Sequence, residues 1–382
     1  MSLALRHPPT PERSTAPLGR LRALLPEIAA RAAALDVDGA FPDEDVAALD
    51  AAGLLRAPLP AGDCAGWGTA PEGAAPLSVA LRLVGRASLP LGRLYEGHVN
   101  AVRLVLRRGG AAQVQRAADD LRAGGHLFGV WNTDPLGGEP PLALDGGVLK
   151  GRKVLCSGAG RVSRALVTAR DAAAPDAPTR MVLVRLRPDE RADLSGWTAQ
   201  GMRASATGAV DFSGLRVEPA DLIGEPGDYA LEPDFSGGAW RFAAVHCGGI
   251  EAVLGALRDH LRRTGRGADP HQAARLGQAA IATETARLWV EAAAARAEAP
   301  GAGADAVAHV GLARLAVERA ALDVLELAQR SVGLQALMRP NPLERMARDL
   351  ATYLRQPAPD RVLAGAAAYV LGAPAEPGDL WG

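Results

Sequence analysis

The sequence predicts an α+β protein built in three successive parts: a helical segment, a compact unit of short antiparallel strands, and a longer helical bundle. Three observations carry this. Apolar residues recur at three-to-four spacing up to about residue 123 and again from about residue 237. Between them, short β-rich segments are broken by Gly, Pro and Asp. The chain is 48% hydrophobic but only 4% aromatic, so its core is mostly Ala, Leu and Val, small side chains that suit close helix packing. The expected divisions are 17–124, 125–228 and 237–371.

Residues 1–16 are Pro-rich and mixed in charge, which reads as a mobile arm. From Leu18, "LGRLRALLPEIAARAAALD" has helical period. In "FPDEDVAALDAAGLLRAPLP", Pro42 suits a first helical position, acids fill the first turn, and Gly53 ends the helix. Residues 76–123 continue as helices. The period then changes: "HLFGVWNTD", "LALDGGVLKGRKVLCSG", "RALVTAR", "RMVLVRLR" and "GAVDFSGLRVEP" read as strands and turns, with a surface loop over 171–180. Long helical patterns return in "AWRFAAVHCGGIEAVLGALRDHLRR", "PHQAARLGQAAIATETARLWVEAAAARAEA" and "AVAHVGLARLAVERAALDVLELAQRSV", the last two joined by a turn within 299–306. No internal repeat is visible.

Composition excludes several functions. Lys+Arg 42 against Asp+Glu 43 leaves a net charge of -1, so nothing draws the chain to nucleic acid or an anionic membrane. The three cysteines, Cys64, Cys156 and Cys247, are far apart and odd in number, which argues against a disulfide framework and fits a reducing compartment. No signal-like or membrane-spanning apolar run occurs, so a cytoplasmic protein is expected. The histidines His98, His126, His246, His260, His271 and His309 lack metal-ligand spacing, and no metal is expected.

The stretch "GRKVLCSGAGRVSRALVTAR" is the most suggestive. It fails as a phosphate loop because Arg161 and Val162, not Lys-Ser/Thr, follow the glycines. A strand rather than a helix follows it, which excludes the dinucleotide-binding pattern. On a regular strand, Lys153 lies three positions from Cys156 and on the opposite face, so the thiol reads as structural rather than nucleophilic.

Taken in order, "WNTDPLGG" (131–138), "GRKVLCSGAG", "GMRASATGAVDFSGLRVEPADLIG" (201–224), "RRTGRGADPHQ" (262–272) and "AQRSVGLQALMRPNPLERMARDL" (328–350) resemble the acyl-CoA dehydrogenase family over roughly residues 18–371. The resemblance implies that family's fold: an N-terminal helical domain, a middle antiparallel β-barrel-like domain and a C-terminal four-helix bundle. It also implies a flavoprotein oxidoreductase with FAD, or FMN, held between the β unit and the bundle. A partner subunit of a homodimer or homotetramer would complete the adenine and pyrophosphate site. Carried over by position, Trp131, Asn132 and Thr133 would line the flavin, and Leu155, Cys156 and Ser157 would pass beside its ring. Arg262 or Arg263, with Gln272, would reach the pyrophosphate, and Gln329 and Gly333 the adenine side.

The family's main activity, oxidation of an acyl thioester on CoA or a carrier protein, needs a carboxylate base at the substrate α-carbon. One usual place for it falls on Pro357; the other, at the start of the bundle's first helix, holds Trp240 and Arg241. The flavin-stacking tryptophan expected before Ser157 is Leu155, and the serine expected after the Thr-Glu-Pro-like turn is Glu139. "CSGA" and "NPLERMARDL" look more like flavin monooxygenases of the same fold, which use flavin reduced by a separate reductase and a small-molecule substrate. Those enzymes often place a histidine near Tyr353, Arg355 and Gln356. The resemblance thus implies either activity, or a non-catalytic relative, and no catalytic residue is assigned. Asp134, Glu232, Asp234 and Asp360 are the acids that folding could bring to the site.

Overall fold

A computed structural model describes residues 11–60 and 66–381; Cys64 lies outside them. The first five helices are α1 (Pro11–Arg31), α2 (Asp43–Ala51), α3 (Ala74–Ala87), α4 (Leu89–Arg108) and α5 (Ala111–Ala123). Helix α1 starts about two turns before Leu18, with Pro11 at its first position, where no hydrogen bond is lost, and Pro17 and Pro26 inside it. Pro42 is the cap of α2 rather than its first residue, and Gly53 ends that helix in the left-handed region at φ +82.

Nine strands follow: β1 (Phe128–Trp131), β2 (Ala143–Asp145), β3 (Val148–Lys150), β4 (Arg152–Cys156), β5 (Arg164–Asp171), β6 (Arg180–Arg185), β7 (Ala192–Asp193), β8 (Gly208–Asp211) and β9 (Leu222–Ile223). They form two sheets. One has the order β3-β2-β5-β6-β9 with β1 also on β5; the other is β4-β8-β7. The expected purely antiparallel unit is corrected here, because β1 and β2 both run parallel to β5. They share one edge of β5 end to end, β1 against 164–167 and β2 against 170–171. The chain leaves the sheet between them, and that break exposes Asn132 and Thr133.

The C-terminal part comprises the short α6 (Asp234–Gly237), then α7 (Trp240–Arg263), α8 (Pro270–Ala297), α9 (Ala304–Val332), α10 (Pro342–Tyr353) and α11 (Pro359–Gly372). Helices α7, α8 and α9 pack on one another through short connections, so they alternate in direction. The starts of α7 and α9 and the end of α8 therefore share one end of the bundle. The bundle also packs tightly on α3: a Cβ added at Gly248 of α7 would stand 2.1 Å from the Arg82 carbonyl oxygen.

The "GMRASATG" and "ARDL" segments fasten the β unit to the bundle. The Met202 N–H donates to Asp349 Oδ1 at 2.6 Å, and Arg348 donates to the Gln200 carbonyl at 2.6 Å. A Cβ at Gly201 would lie 2.2 Å from the Arg348 carbonyl oxygen, so only glycine fits this contact. Burial pushes the Asp349 carboxyl up, against the Met202 N–H and Arg345.

Candidate functional site

The largest cavity has a volume of about 900 Å³ and lies where the β1 break, α4, the starts of α7 and α9, and α11 converge. Its β-side wall is Val130, Trp131, Asn132, Thr133 and Leu155. The Trp131 indole N–H donates to the Ser157 carbonyl at 3.1 Å, bracing β1 against the end of β4. Lys153, 1% exposed, donates through Nζ to Asp134 Oδ1 at 2.6 Å, the Asn132 carbonyl at 3.2 Å and Thr168 Oγ1 at 3.1 Å. Burial lowers the Lys153 pKa, with Asp134 acting against it.

Strand β4 is irregular between Lys153 and Cys156, and Leu155 within that bulge has φ +55. The bulge turns the Leu155 side chain, 56% exposed, into the cavity. It also corrects the expectation that Lys153 and Cys156 face opposite ways: one extra residue restores both to the buried face. Cys156 is wholly buried, and burial pushes its thiol up despite Lys153, so it is chemically inert.

The base of the cavity is a charged network along α4. Arg93, Glu96, Asn100, Arg103 and Arg107 recur at alternating spacings of three and four, a polar stripe on an otherwise apolar helix. Arg93 donates to Glu96 Oε2 at 2.5 Å, and the Asn100 amide donates to Glu96 Oε1. Arg241 donates through Nε to Asn100 Oδ1 and through Nη1 to Glu298 Oε1 at 2.9 Å. Arg103 and Arg107 donate to Glu298 at 3.3 and 3.2 Å and to Asp234 at 2.8 and 2.5 Å; Arg108 donates to Asp234 at 2.7 Å. Burial opposes ionisation of Asp234, but the arginines outweigh it and hold the carboxyl below its usual value. Burial and Arg103 pull the Arg241 guanidinium down to about 10, which leaves it charged at neutral pH.

Of the acids considered from sequence, Glu232 and Asp234 line the cavity, whereas Asp134 and Asp360 do not. Glu96 was missed. All three lining acids are engaged, Glu96 and Asp234 by arginines and Glu232 by the Ser236 N–H at 3.0 Å and hydroxyl at 2.5 Å. Above Phe242, His246 is buried against the Tyr353 ring at 4.5 Å between centroids. Burial pulls its pKa to about 3, so the imidazole stays neutral. The Tyr353 hydroxyl, beside Arg93, has no well-formed hydrogen bond, and burial pushes it up.

Residues 227–354 match the family described as acyl-CoA dehydrogenase, C-terminal domain. TdsC of Paenibacillus sp. A11-2, solved with FMN and indole, superposes with a TM-score of 0.80 at 19% identity, covering 94% of this chain and 97% of that one. The bundle thus matches the acyl-CoA dehydrogenase C-terminal domain, and the whole chain has the acyl-CoA dehydrogenase fold. KijD3, solved with FMN and a dTDP-amino-keto sugar, gives a TM-score of 0.78 at 23% identity over 98% of each chain. A dibenzothiophene monooxygenase of Rhodococcus erythropolis is 31% identical over 135 residues, a match spanning 32% of this chain and 32% of that relative.

Within the acyl-CoA dehydrogenase fold, the residues picked from sequence fall in two places. Trp131, Asn132, Thr133 and Leu155 line the cavity, while Ser157 sits behind Trp131 and accepts a hydrogen bond from Thr207 at 3.2 Å. Arg262, Arg263, Gln272, Gln329 and Gly333 do not line it. They stand at the end of α7, the start of α8 and the end of α9, the far end of the bundle, about 36 Å away along the 24 residues of α7. Gln272 is 3% exposed there, and its Oε1 has no partner. Both usual positions of the dehydrogenase base face the cavity, as Pro357 and Arg241. Among the described residues no cluster could hold a metal, and no helix is long and apolar enough to cross a membrane.

Proposed function

We propose that this protein is a flavin-dependent monooxygenase that receives reduced flavin, FMN or FAD, from a separate reductase. The observation that carries the reading is that, among the described residues, no free carboxylate lines the cavity: both base positions hold other residues, and every lining acid is engaged by arginine or serine. A dehydrogenase of acyl thioesters needs an unengaged carboxylate to take the α-proton. The R. erythropolis relative, a dibenzothiophene monooxygenase, supports the oxygenase reading. So do the FMN complexes of the structural neighbours TdsC and KijD3.

The cavity fits a flavin and a small substrate together. Its volume lies at the upper end of the range of about 300–1,000 Å³ for sites that hold compact ligands. Val130, Trp131 and Leu155 supply an apolar wall for a planar ring, and Asn132 and Thr133 supply polar groups at its edge. Bound reduced flavin would supply the electrons that activate dioxygen and would deliver one oxygen atom to the substrate. The protein's own part is to orient ring and substrate, to exclude water, and to hold fixed positive charge. The arginine network does the last, with Arg93, Arg103, Arg107, Arg108 and Arg241 against Glu96, Asp234 and Glu298.

The far-end residues Arg262, Arg263, Gln272, Gln329 and Gly333 are too distant to serve the cavity of their own chain. In a homodimer or homotetramer they would serve the partner's cofactor. Isotopically labelled dioxygen, a flavin reductase and FMN, with a panel of acidic and neutral aromatic compounds as substrates, test the function. The expected result is labelled product that requires both reductase and FMN. Anaerobic bleaching of bound flavin by acyl-CoA would instead establish the dehydrogenase, and a protein that binds neither FMN nor FAD would be a non-catalytic relative.

A further inference from the structure

The outer half of the cavity, between α9 and α11, differs from its base. Along α9 it is lined by Ala304, Val307, Ala308 and Gly311, with Arg314 at the deep end. Arg314 is 8% exposed, and among the described residues it forms no ion pair to a carboxylate. Its Nη2 donates to the Pro357 carbonyl at 2.6 Å, its Nε has no partner, and its guanidinium lies 5.5 Å from the Phe242 ring centroid. Glu318, one turn on, is taken by Arg355 at 2.8 Å. Burial lowers the Arg314 pKa, with Glu318 as the opposing influence. On α11 the exposed Arg361 also lines the cavity, and the lining acids are engaged elsewhere, Glu96 by Arg93, Asp234 by Arg103 and Glu232 by Ser236. A buried guanidinium with spare donors and no counter-ion is costly unless an anion completes it.

We propose that Arg314, assisted by Arg361, receives an oxyanion of the substrate, a carboxylate or a phosphate ester, whose apolar body lies along the small face of α9 against Phe242. This deepens the monooxygenase reading by naming its substrate class, an acidic small molecule rather than a neutral heterocycle. The small residues of α9 give the body its room. Gly365 of α11 adds to it, since a Cβ there would meet nothing within 4 Å. A charge-assisted pair with a desolvated guanidinium discriminates against a neutral isostere by about tenfold or more.

Calorimetric probe binding tests this without turnover, so it stands apart from the fate of the monooxygenase reading. The probes are indole-3-acetate, its neutral isostere indole-3-acetamide, and phenyl phosphate. The expected result is that an anionic probe binds about tenfold more tightly than the amide. Arg314→Gln should abolish that preference, and the exposed Arg361→Gln should reduce it. Tighter binding of indole-3-acetate assigns a carboxylate, and of phenyl phosphate a phosphate. Should Arg314→Gln not fold, Arg361→Gln and the parent's preference still decide the matter. Gly365→Leu, which fills the cavity, should weaken all three probes. Neither anionic probe binding more tightly than the amide, or a preference indifferent to both arginine variants, overturns the proposal. So does an Arg314→Gln protein whose FMN affinity falls as far as its probe affinity, which would assign the guanidinium to the flavin.

Discussion

Glu298 is the hub of the charged network, and removing its charge should destabilise the bundle by an amount its partners define. Its side chain is 1% exposed and accepts from Arg241, Arg103, Arg107 and the Trp240 indole. In Glu298→Gln, Arg103 and Arg107 keep Asp234, so the loss falls mainly on Arg241, left with Asn100 alone. Stripping a buried cation of its carboxylate costs about 3–5 kcal/mol, and the low end applies because the glutamine oxygen still accepts one bond. With unfolding entropy of about 2.1 cal/mol/K per residue over 382 residues, about 3 kcal/mol lowers Tm by about 4 °C. Melting followed by tryptophan fluorescence reads this, since Trp240 sits on the hub. Adding Arg241→Met removes the orphaned cation and should recover about half of the loss. A Glu298→Gln protein melting within about 1 °C of the parent, or a double variant no more stable than the sum of its singles, would refute the argument.

Stability should also depend on pH through His98, whose Nε2 bonds the Leu55 carbonyl at 2.7 Å while Nδ1 accepts from the Phe128 N–H at 3.0 Å. Burial holds its folded pKa at about 4, below the unfolded 6.5, so the unfolded chain binds the extra proton first. About 3 kcal/mol is therefore lost as pH falls from about 6.5 to about 4, and melting curves of His98→Gln should decline less steeply over that window. Leu155→Gly should raise Tm, because a leucine held in the left-handed region costs about 1 kcal/mol, yet weaken flavin binding by removing an apolar wall; a fall in Tm would contradict the strain. Lys153→Met should cost about 2–3 kcal/mol and weaken flavin binding as well, since Asn132 and Asp134 lose the ammonium that fixes them; unchanged affinity would detach that anchor from the site.

The three-part order and most helices were legible because long apolar periods survive in any context. The parallel pairing of β1 and β2 with β5 was not, since strand direction is set by connections that no local pattern records. The sequence pointed to Trp131, Asn132, Thr133 and Leu155 through motif order, and to Pro357 and Arg241 through what is missing there. It misjudged the relation of Lys153 to Cys156, because the bulge at Leu155 has no glycine to mark it. The α4 stripe was readable in principle: charged groups at 93, 96, 103 and 107, with an amide at 100, recur on a largely buried helix and need partners. Arg314 left no such trace, because one of the three arginines on α9 becomes unusual only when folding buries it without an ion pair to an acid.

Arg241 is central to the proposed monooxygenase reading, because it stands at one usual position of the dehydrogenase base. At 4% exposure, and with a pKa lowered only to about 10, it remains a cation under any physiological condition. Restoring an acid there by Arg241→Glu would not rebuild a base. The new carboxylate would stand where a guanidinium now reaches Glu298 at 2.9 Å, and two buried carboxylates that close cannot both ionise. It would also free Asn100, whose amide is aligned by Glu96 on one side and Arg241 on the other. A working base would need changes at Arg241 and Glu298 together, with Arg103 and Arg107 then resting on Asp234 alone. The charge pattern is thus a linked set spanning α4, α6, α7 and the α8–α9 turn. A set so linked holds positive charge in place, which suits stabilising an anion at the cavity and opposes taking a proton from carbon.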